Sequence, residues 1–544
     1  MSTADAEVLE RVCRTIVDRI LTEDIDREDI ESLKREVCAA HSAPVVPQNS
    51  DLLEYAPEEH REDLEAILRR KPVRTASGVS PVAIMTSPHR CPHGRCLYCP
   101  GGPDSEFDSA QSYTGHEPAA ARGERADYDP YDQVTNRLRQ LRDIGHPVDK
   151  VELILMGGTL TARSHDYQSW FVKRALQAMN DFDPDHPEAR PAARPGERPF
   201  EYLEDVIETN ETAAVRNIGT TFETKPDWCT TEAVDRMLSL GGTKVEVGVQ
   251  TTFDRINREM GRGHGTQEAI DANRRLRDAG FKVGFHMMPG QPGSSKAMAR
   301  TDFKRLFSRP EWQPDYLKIY PTLVVGGTVV YDMTHRGEFE PLSSSEAAEL
   351  VADIKTDIPP YTRLQRVQRD IPADFIEAGV QKSNLRQLAR QRLADRGERC
   401  DCIRCREIGF SDVTPDPADV KRRQRTYTAC GGTEHFLSVE VPDADGDLLI
   451  GFCRLRFPAD PHREELQQAA IIRELHVYGS QATLGAEGDW QHQGYGRELV
   501  RWAEDIARDA GYDRLAVISG IGAREYYREH LGYVQDGPYV VTDL

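Results

Sequence analysis

Residues 150–159 read Lys-Val-Glu-Leu-Ile-Leu-Met-Gly-Gly-Thr. An apolar run closed by a Gly-Gly pair predicts a strand over 151–157 that ends in a turn. The same texture repeats on both sides of it. Val82–Met85, RNIGTTFET (216–224), KVEVGVQ (244–250), KVGFHMM (282–288) and YLKIYPT (316–322) are strand-like. TEAVDRMLSLG and TQEAIDANRRLRDAG are helical stretches between them. Strands alternating with helices predict a parallel sheet covered by helices, with its site at the strand C-terminal ends. Glycines and polar groups gather there: Gly157-Gly158-Thr159, Glu223-Thr224, Gln250 and His286.

Further out the texture changes. Residues 1–70 carry apolar residues at helical spacing, as in EVLERVCRTIVDRIL, and a basic, small-residue linker follows from Lys71. Residues 181–200, rich in Pro, Arg and Asp, predict a solvated loop. After residue 426, HFLSVEV, LLIGFCRLRF, AAIIRELHVYG and RLAVISG read as antiparallel strands. With the helices GRELVRWAEDIARDAG and AREYYREHLG they predict a compact α+β domain. The expected division is a helical region and basic linker (1–75), an α/β domain (76–395), a linker (396–425) and the α+β domain (426–544).

The 544 residues hold 69 Lys and Arg against 90 Asp and Glu, a net charge of -21. Only 13 of the basic residues are Lys and 56 are Arg. With 38% hydrophobic residues the chain can build cores, yet no apolar run approaches the ~20 residues of a membrane helix. The N-terminus has neither a basic n-region nor an apolar h-region, so a soluble cytoplasmic protein with no membrane partner is expected. Global acidity argues against nucleic acid as a partner. An acidic, Lys-poor surface would also suit a salty cytoplasm. The charge is uneven, however. Residues 1–60 hold 15 acidic and 6 basic side chains, whereas residues 361–426 hold 10 and 15.

Clustered cysteines in such a chain point to metal or redox chemistry. Cys91, Cys96 and Cys99 form C-x4-C-x2-C. Three thiolates on one loop can bind three irons of a [4Fe–4S] cluster and leave the fourth open. The competing reading is a zinc site completed by His93 or His116. Tyr98 before the third Cys, a preceding strand and the later Gly-Gly pair together resemble radical S-adenosylmethionine (SAM) enzymes. That resemblance implies SAM on the open iron, with Gly157, Gly158 and Thr159 admitting it closely. A second motif, Gln491-His-Gln-Gly494-Tyr495-Gly496-Arg497, opens a helix. Its N–H groups could hold the pyrophosphate of coenzyme A. The strand Glu474-Leu475-His476-Val477 before it and Tyr526-Tyr527 after it are in the order of GNAT-type acetyltransferases. A third set, Cys400, Cys402 and Cys405, suits a structural zinc, with Cys430 or a His as the fourth ligand.

The pairing of these modules resembles the catalytic subunit of Elongator, the tRNA wobble-uridine acetyltransferase family, in an archaeal-like stand-alone form. The resemblance rests on CPHGRCLYCPGGPDSEFDSAQSYTGHEPAAAR, DKVELILMGGT, FETKPDWC, EVGVQT, GFHMMPGQPG, LKIYPTLVVGGT, RVQRDIP, IRELHVYGS and QHQGYG. It implies a radical-SAM partial (β/α) barrel, a zinc-binding linker and a GNAT domain. It also implies a 5′-deoxyadenosyl radical that takes hydrogen from the acetyl-CoA methyl, and a carbon radical that adds to the wobble uracil. Oxidation and thioester hydrolysis would then give 5-carboxymethyluridine. Lys150 would contact acetyl-CoA from the barrel side, and Glu474–Val477, Tyr495–Glu498 and Tyr527 from the other. Implied partners are a tRNA anticodon stem-loop and an electron donor, with a homodimer or Elongator-like subunits both compatible.

For RNA contact the Arg runs are candidates: Arg69-Arg70-Lys71 with Arg74, then Arg363, Arg366 and Arg369, then Lys421-Arg422-Arg423 with Arg425. His286 and Lys318, at strand ends, are candidates for lining the radical site. Two other classes compete. A protein lysine acetyltransferase would use only residues 426–544 and a base such as Glu474. A scaffold that binds tRNA or partner subunits would use no chemistry.

Overall fold

The computed structural model describes residues 3–23, 29–41, 49–57, 60–68, 78–187, 201–411, 416–443, 446–478 and 494–544, with positions 25, 43 and 47. Arg69, Arg70, Lys71, Arg74, Gln491 and most of the 181–200 loop lie outside them. Four helices, Thr3–Thr22, Ile30–Ala40, Asn49–Glu54 and Arg61–Leu68, build the N-terminal region. They bury a core of their own around Val12, Ile16, Leu33, Val37, Leu52 and Leu64.

The barrel strands are β1 (Ser80–Met85), β2 (Lys150–Met156), β3 (Arg216–Thr224), β4 (Lys244–Gln250), β5 (Lys282–Met287) and β6 (Tyr316–Ile319). β7 (Val324–Val325) follows, then β8 (Arg363–Arg366) and β9 (Ile376–Ala378). β1-β2-β3-β4-β5-β6-β8 form one sheet in that order, and every neighbouring pair is parallel. β7 and β9 pair separately. The sheet is the expected open barrel, with one addition. The Arg-rich stretch around 363–366 is its seventh strand.

The strands alternate polar and apolar side chains. Val151, Leu153 and Leu155 of β2, like Val245, Val247 and Val249 of β4, are fully buried against the helices. Lys150, Glu152, Lys244, Glu246, Lys282 and His286 take the opposite phase and face the barrel lumen.

The second sheet holds β10 (Lys421–Ala429), β11 (Gly432–Val441), β12 (Leu448–Phe457), β13 (Ala469–Val477), β14 (Arg514–Ile518), β15 (Val534–Asp536) and β16 (Tyr539–Asp543). Its order is β10-β11-β12-β13-β14-β16-β15. Two expectations need correction. Residues 421–425 belong to β10 and not to the linker. β13 and β14 run parallel, because the helix Tyr495–Asp509 crosses between them, while the other pairs are antiparallel.

One face of this sheet docks on the N-terminal ends of the barrel strands. Ile471, Ala516, Ile518 and Tyr539 join the barrel core there, while Ile472, Leu515 and Val517 fill the second core. Between the domains lies a buried ionic cluster of Arg277, Arg454, Arg456 and Arg473 with Asp278, Asp315 and Glu434, each 0–2% exposed. Such a cluster is stable only while every charge keeps its partner. No described helix is long and apolar enough to cross a membrane.

Candidate active site

The C-terminal ends of the barrel strands surround an open cleft. Cys91, Cys96 and Cys99 line it, on the loop that follows β1. Each sulfur has a polar neighbour. Thr159 Oγ1 lies 3.4 Å from Cys91, Gln111 Nε2 donates to Cys99 at 3.2 Å, and Arg262 Nη1 donates to Cys96 at 3.5 Å. Burial raises the Cys91 and Cys99 thiols, so they need a cationic partner to ionise. Gly157 and Gly158, both at positive φ, turn the chain after β2. A Cβ on Gly158 would stand 2.9 Å from Gln111 Cβ and 3.7 Å from Cys91 Sγ.

The geometry separates the two metal readings. A zinc ion about 2.3 Å from each sulfur would draw them within ~4 Å of one another. Among the described residues, two sets of three His, Cys, Asp or Glu bring ligand atoms within 4.8 Å. These are Cys400–Cys402–Cys405 and Glu223–Glu246–His286; the Cys91 triad is not one of them. Its wider spread suits a multi-iron cluster. His116 is stacked on Phe375 at 3.9 Å and is no ligand candidate. His93 approaches only Cys96, at 3.3 Å. Arg262 Nε, Gln250 Oε1 and His93 Nδ1 are buried without partners around the cleft, as a site for a polar group would have them.

Ionisable side chains of the cleft wall, His286 and Lys318 among them, continue from there through the lumen. Tyr113 donates to Glu223 at 2.8 Å, and Lys318 lies 3.5 Å from Glu223 and is paired with Glu246. Glu246 also holds His286 at 2.9 Å. Lys318 therefore fills the Glu223–Glu246–His286 group with its own cation. Lys244 sits 3.9 Å from Glu246, 3.0 Å from Glu152 and 4.3 Å above the Tyr316 ring. Burial alone would raise Glu246, but Lys318 and His286 keep its carboxyl well below the usual range. At the foot of the barrel, Lys282 pairs with Glu474 of the second sheet. Lys150, the first residue of β2, lies at this lower end, away from the cysteines.

The second half of the site is the splayed edge of β13. Its pairing with β14 stops at Ile472–Val517, while β13 runs on to Val477. Gly494, at φ +91°, caps the helix Tyr495–Asp509, and Glu498 N–H donates to Gly494 O at 3.0 Å. A Cβ on Gly496 would lie 3.2 Å from Tyr526 Oη and 4.0 Å from side-chain carbons of Leu475 and Val477. The glycine turn, the β13 edge and the tyrosine helix thus meet. Tyr526 is the ring that reaches the turn; Tyr527 is 5% exposed and packs in the second core. Arg497 is exposed beside the turn. Burial would raise Glu474, but Lys282 and Arg454, the latter at 2.8 Å, hold it down at about 2. A carboxylate so stabilised is a poor base, which removes the role that the lysine-acetyltransferase reading required.

Cys402 packs with the barrel core and the adjacent Ile403 with the second core, so the Cys400–Cys405 loop stands at the junction. Lys355 Nζ is 3.4 Å from Cys405. Cys430 lies elsewhere, its thiol donating to Glu311 O at 3.3 Å, and it cannot be the fourth ligand. Arg366 and Arg369 line the cleft: Arg366 pairs with Asp370 at 2.5 Å and Arg369 donates to Ser112 O. Arg363 is corrected out of the RNA set, since Glu407 at 2.8 Å and Tyr478 Oη at 3.0 Å engage it at the domain junction. Arg422 and Arg423 are exposed on the edge strand β10, where Arg422 pairs with Glu498 at 2.6 Å. The sequence reading missed Gln111, Arg262, Lys244, Lys282 and Asp315.

Four family profiles match the chain: the ELP3 N-terminal domain over residues 9–76, the Radical SAM superfamily over 85–306, the Radical_SAM C-terminal domain over 314–395 and the Acetyltransferase (GNAT) family over 408–533. A tRNA uridine(34) acetyltransferase of Methanocaldococcus infernus is 45% identical over 98% of this chain and 100% of its own. Human Elongator complex protein 3 is 40% identical over 95% of this chain and 93% of its own. The solved structure of archaeal Methanocaldococcus infernus Elp3 with an N-terminal deletion (1–46) superposes with a TM-score of 0.74 at 41% identity. That match covers 86% of this chain and all of the other. With both modules present and the likeness spanning nearly its whole length, the chain belongs to the Elongator complex protein 3 family of radical-SAM proteins with a GNAT domain.

Proposed function

We propose that this protein is a tRNA uridine(34) acetyltransferase that uses acetyl-CoA to build a carboxymethyl group on C5 of the wobble uridine. The observation that carries the reading is the joint between its halves. The cysteine-lined cleft at one mouth of the barrel and the β13 edge at the other belong to one buried unit, linked by the Lys282–Glu474 pair.

The radical SAM domain implies a [4Fe–4S] cluster and SAM, and the GNAT domain implies acetyl-CoA. When bound, the cluster and SAM supply the 5′-deoxyadenosyl radical that activates the acetyl methyl. Cys91, Cys96 and Cys99 hold the cluster, and Gly157, Gly158 and Thr159 leave room for SAM beside it. The Gly494–Glu498 turn holds the CoA pyrophosphate through backbone N–H groups. Glu474–Val477 present the acetyl arm on an open strand edge, with Lys150 facing it from the barrel and the Tyr526–Tyr527 helix closing the far side. Arg366 and Arg369 meet the anticodon loop at the mouth of the cleft, where planar guanidinium groups can stack on an unpaired base or grip phosphate. Cys400, Cys402 and Cys405 hold a structural zinc that fixes the junction. This reading carries with it a cytoplasmic location.

Anaerobic reconstitution with iron and sulfide tests this function. Incubation with SAM, acetyl-CoA, a reductant and tRNA should yield 5′-deoxyadenosine and carboxymethylated uridine together. Acetylation of lysine peptides with no effect on tRNA would overturn it.

A further inference from the structure

The strand that presents acetyl-CoA is held by the barrel as well as by its own sheet. β12 and β13 pair in register on both sides of Arg454–Glu474 and Leu455–Ile472, which leaves Arg473 as an extra residue. This is a β-bulge, and it changes the phase of the strand. Ile471 faces the barrel core and Ile472 the second core. Strict alternation would turn Arg473 to the barrel and Glu474 away from it. With the bulge, both face the barrel, and Leu475 returns to the second core. Arg473 forks onto both oxygens of Asp315, at the foot of β6, at 2.8 Å each. Glu474 pairs with Lys282, the first residue of β5. The bulge coincides with the point where β13 leaves β14. β13 stays paired with β12 as far as Val477, and on the side that β14 leaves two barrel residues register the edge.

We propose that Lys282 and Asp315 are positioning residues for the acetyl-CoA half of the reaction: they set where the β13 edge places the acetyl group relative to the barrel lumen. The proposal rests on the reading of Glu474–Val477 as the acetyl-CoA strand. Neither residue binds the coenzyme, whose adenosine and pyrophosphate end lies at the Gly494 turn. Loss of the Lys282 ammonium shifts the acetyl arm and spares most of the affinity. Such a shift lowers the yield of the chemical step far more than binding.

The experiment uses the full-length protein with Lys282→Met and Lys282→Arg. Lys282 is partly exposed, with a side-chain accessibility of 20%, and Arg454 still holds Glu474 in its absence. The fold should therefore survive, and thermal melting checks this. Should Lys282→Met fail to fold, Lys282→Gln carries the same expectation. Calorimetry on cluster-free protein should give acetyl-CoA affinity within about threefold of wild type for Lys282→Met. In reconstituted protein the ratio of modified uridine to 5′-deoxyadenosine should fall by roughly tenfold or more, and Lys282→Arg should restore it. An unchanged ratio in Lys282→Met, or an equal loss in Lys282→Arg, overturns the proposal while the function stands. Wild-type protein that does not bind acetyl-CoA overturns the underlying reading and the proposal with it.

Discussion

Arg473 of the acetyltransferase sheet grips both carboxylate oxygens of Asp315 at the foot of a barrel strand, and neither side chain has any exposed surface. Asp315 also faces Arg277 at 3.3 Å and Arg454 at 3.6 Å, so one carboxylate answers three guanidinium groups. Glu434 shares Arg277 and Arg473. The two chemical modules are thus joined by ions that water and salt do not reach, which suits an acidic protein whose surface charges are open to screening.

Asp315→Asn should be severely destabilising. It leaves buried guanidinium charge uncompensated, a change that typically costs about 3–5 kcal/mol. Urea unfolding followed by both fluorescence and circular dichroism should show a lower midpoint for barrel and acetyltransferase signals together. A loss below ~1 kcal/mol would mean that Glu434 and Glu474 suffice for the three arginines.

Cys96→Ser should abolish cluster assembly and uridine modification while leaving acetyl-CoA binding intact, because the two sites occupy opposite mouths of the barrel. Iron and sulfide content report the first effect and calorimetry the second. Retained modification of tRNA by this variant would sink the radical mechanism.

The barrel was legible because its strands are separated by well-capped helices and end in glycine turns. KVEVGVQ and KVGFHM even carried the lumen in their alternation. Parallel strands covered on both faces normally read as continuous apolar runs, so Lys244, Glu246, Lys282 and His286 in alternate positions were the available sign of a polar interior, of which the sequence reading used only His286. The partners in that interior were not legible. Glu474 and Lys282 are 192 residues apart, and no local pattern joins them. Arg363–Arg366 was hidden for another reason. A short edge strand with one apolar inward residue, Leu364, has too little periodicity to stand out from an arginine run.

Arg366→Glu with Arg369→Glu should weaken tRNA binding by roughly tenfold or more and flatten its salt dependence by about one unit of slope per lost phosphate contact. Arg363→Gln should instead lower stability through Glu407 and leave the salt slope unchanged. Filter binding across a salt series separates these effects. Equal slopes for wild type and the double variant would place the RNA elsewhere.

Cys402→Ser should remove bound zinc, measured by metal analysis, and open the 396–420 region to proteolysis. Cys402 is fully buried in the barrel core beside Ile403 of the second core, so losing the metal loosens the junction without unfolding either sheet. Cys430→Ser should retain the metal, since that thiol bonds to Glu311 O. Zinc retained in the first variant, or lost in the second, would contradict the ligand set.

Acid should weaken the junction in two successive windows. Burial holds His476 at about 4 against an ordinary 6.5, so the folded state keeps the imidazole neutral while the unfolded chain takes up a proton. Its contribution is complete above pH 6.5 and is lost as pH falls toward 4, at no more than about 1.4 kcal/mol per pH unit. Glu474 is held at about 2 against an ordinary 4.5 by Lys282 and Arg454, which outweigh its burial. Its contribution is present above pH 4.5 and is lost from there down through pH 2. Urea midpoints taken at intervals between about pH 7 and pH 3 should fall in both ranges. His476→Gln should flatten the upper range only, because Gln carries no proton in either state, and Glu474→Gln the lower only. A His476→Gln profile parallel to wild type between pH 6.5 and 4 would show that other buried imidazoles, such as His93, set the acid sensitivity.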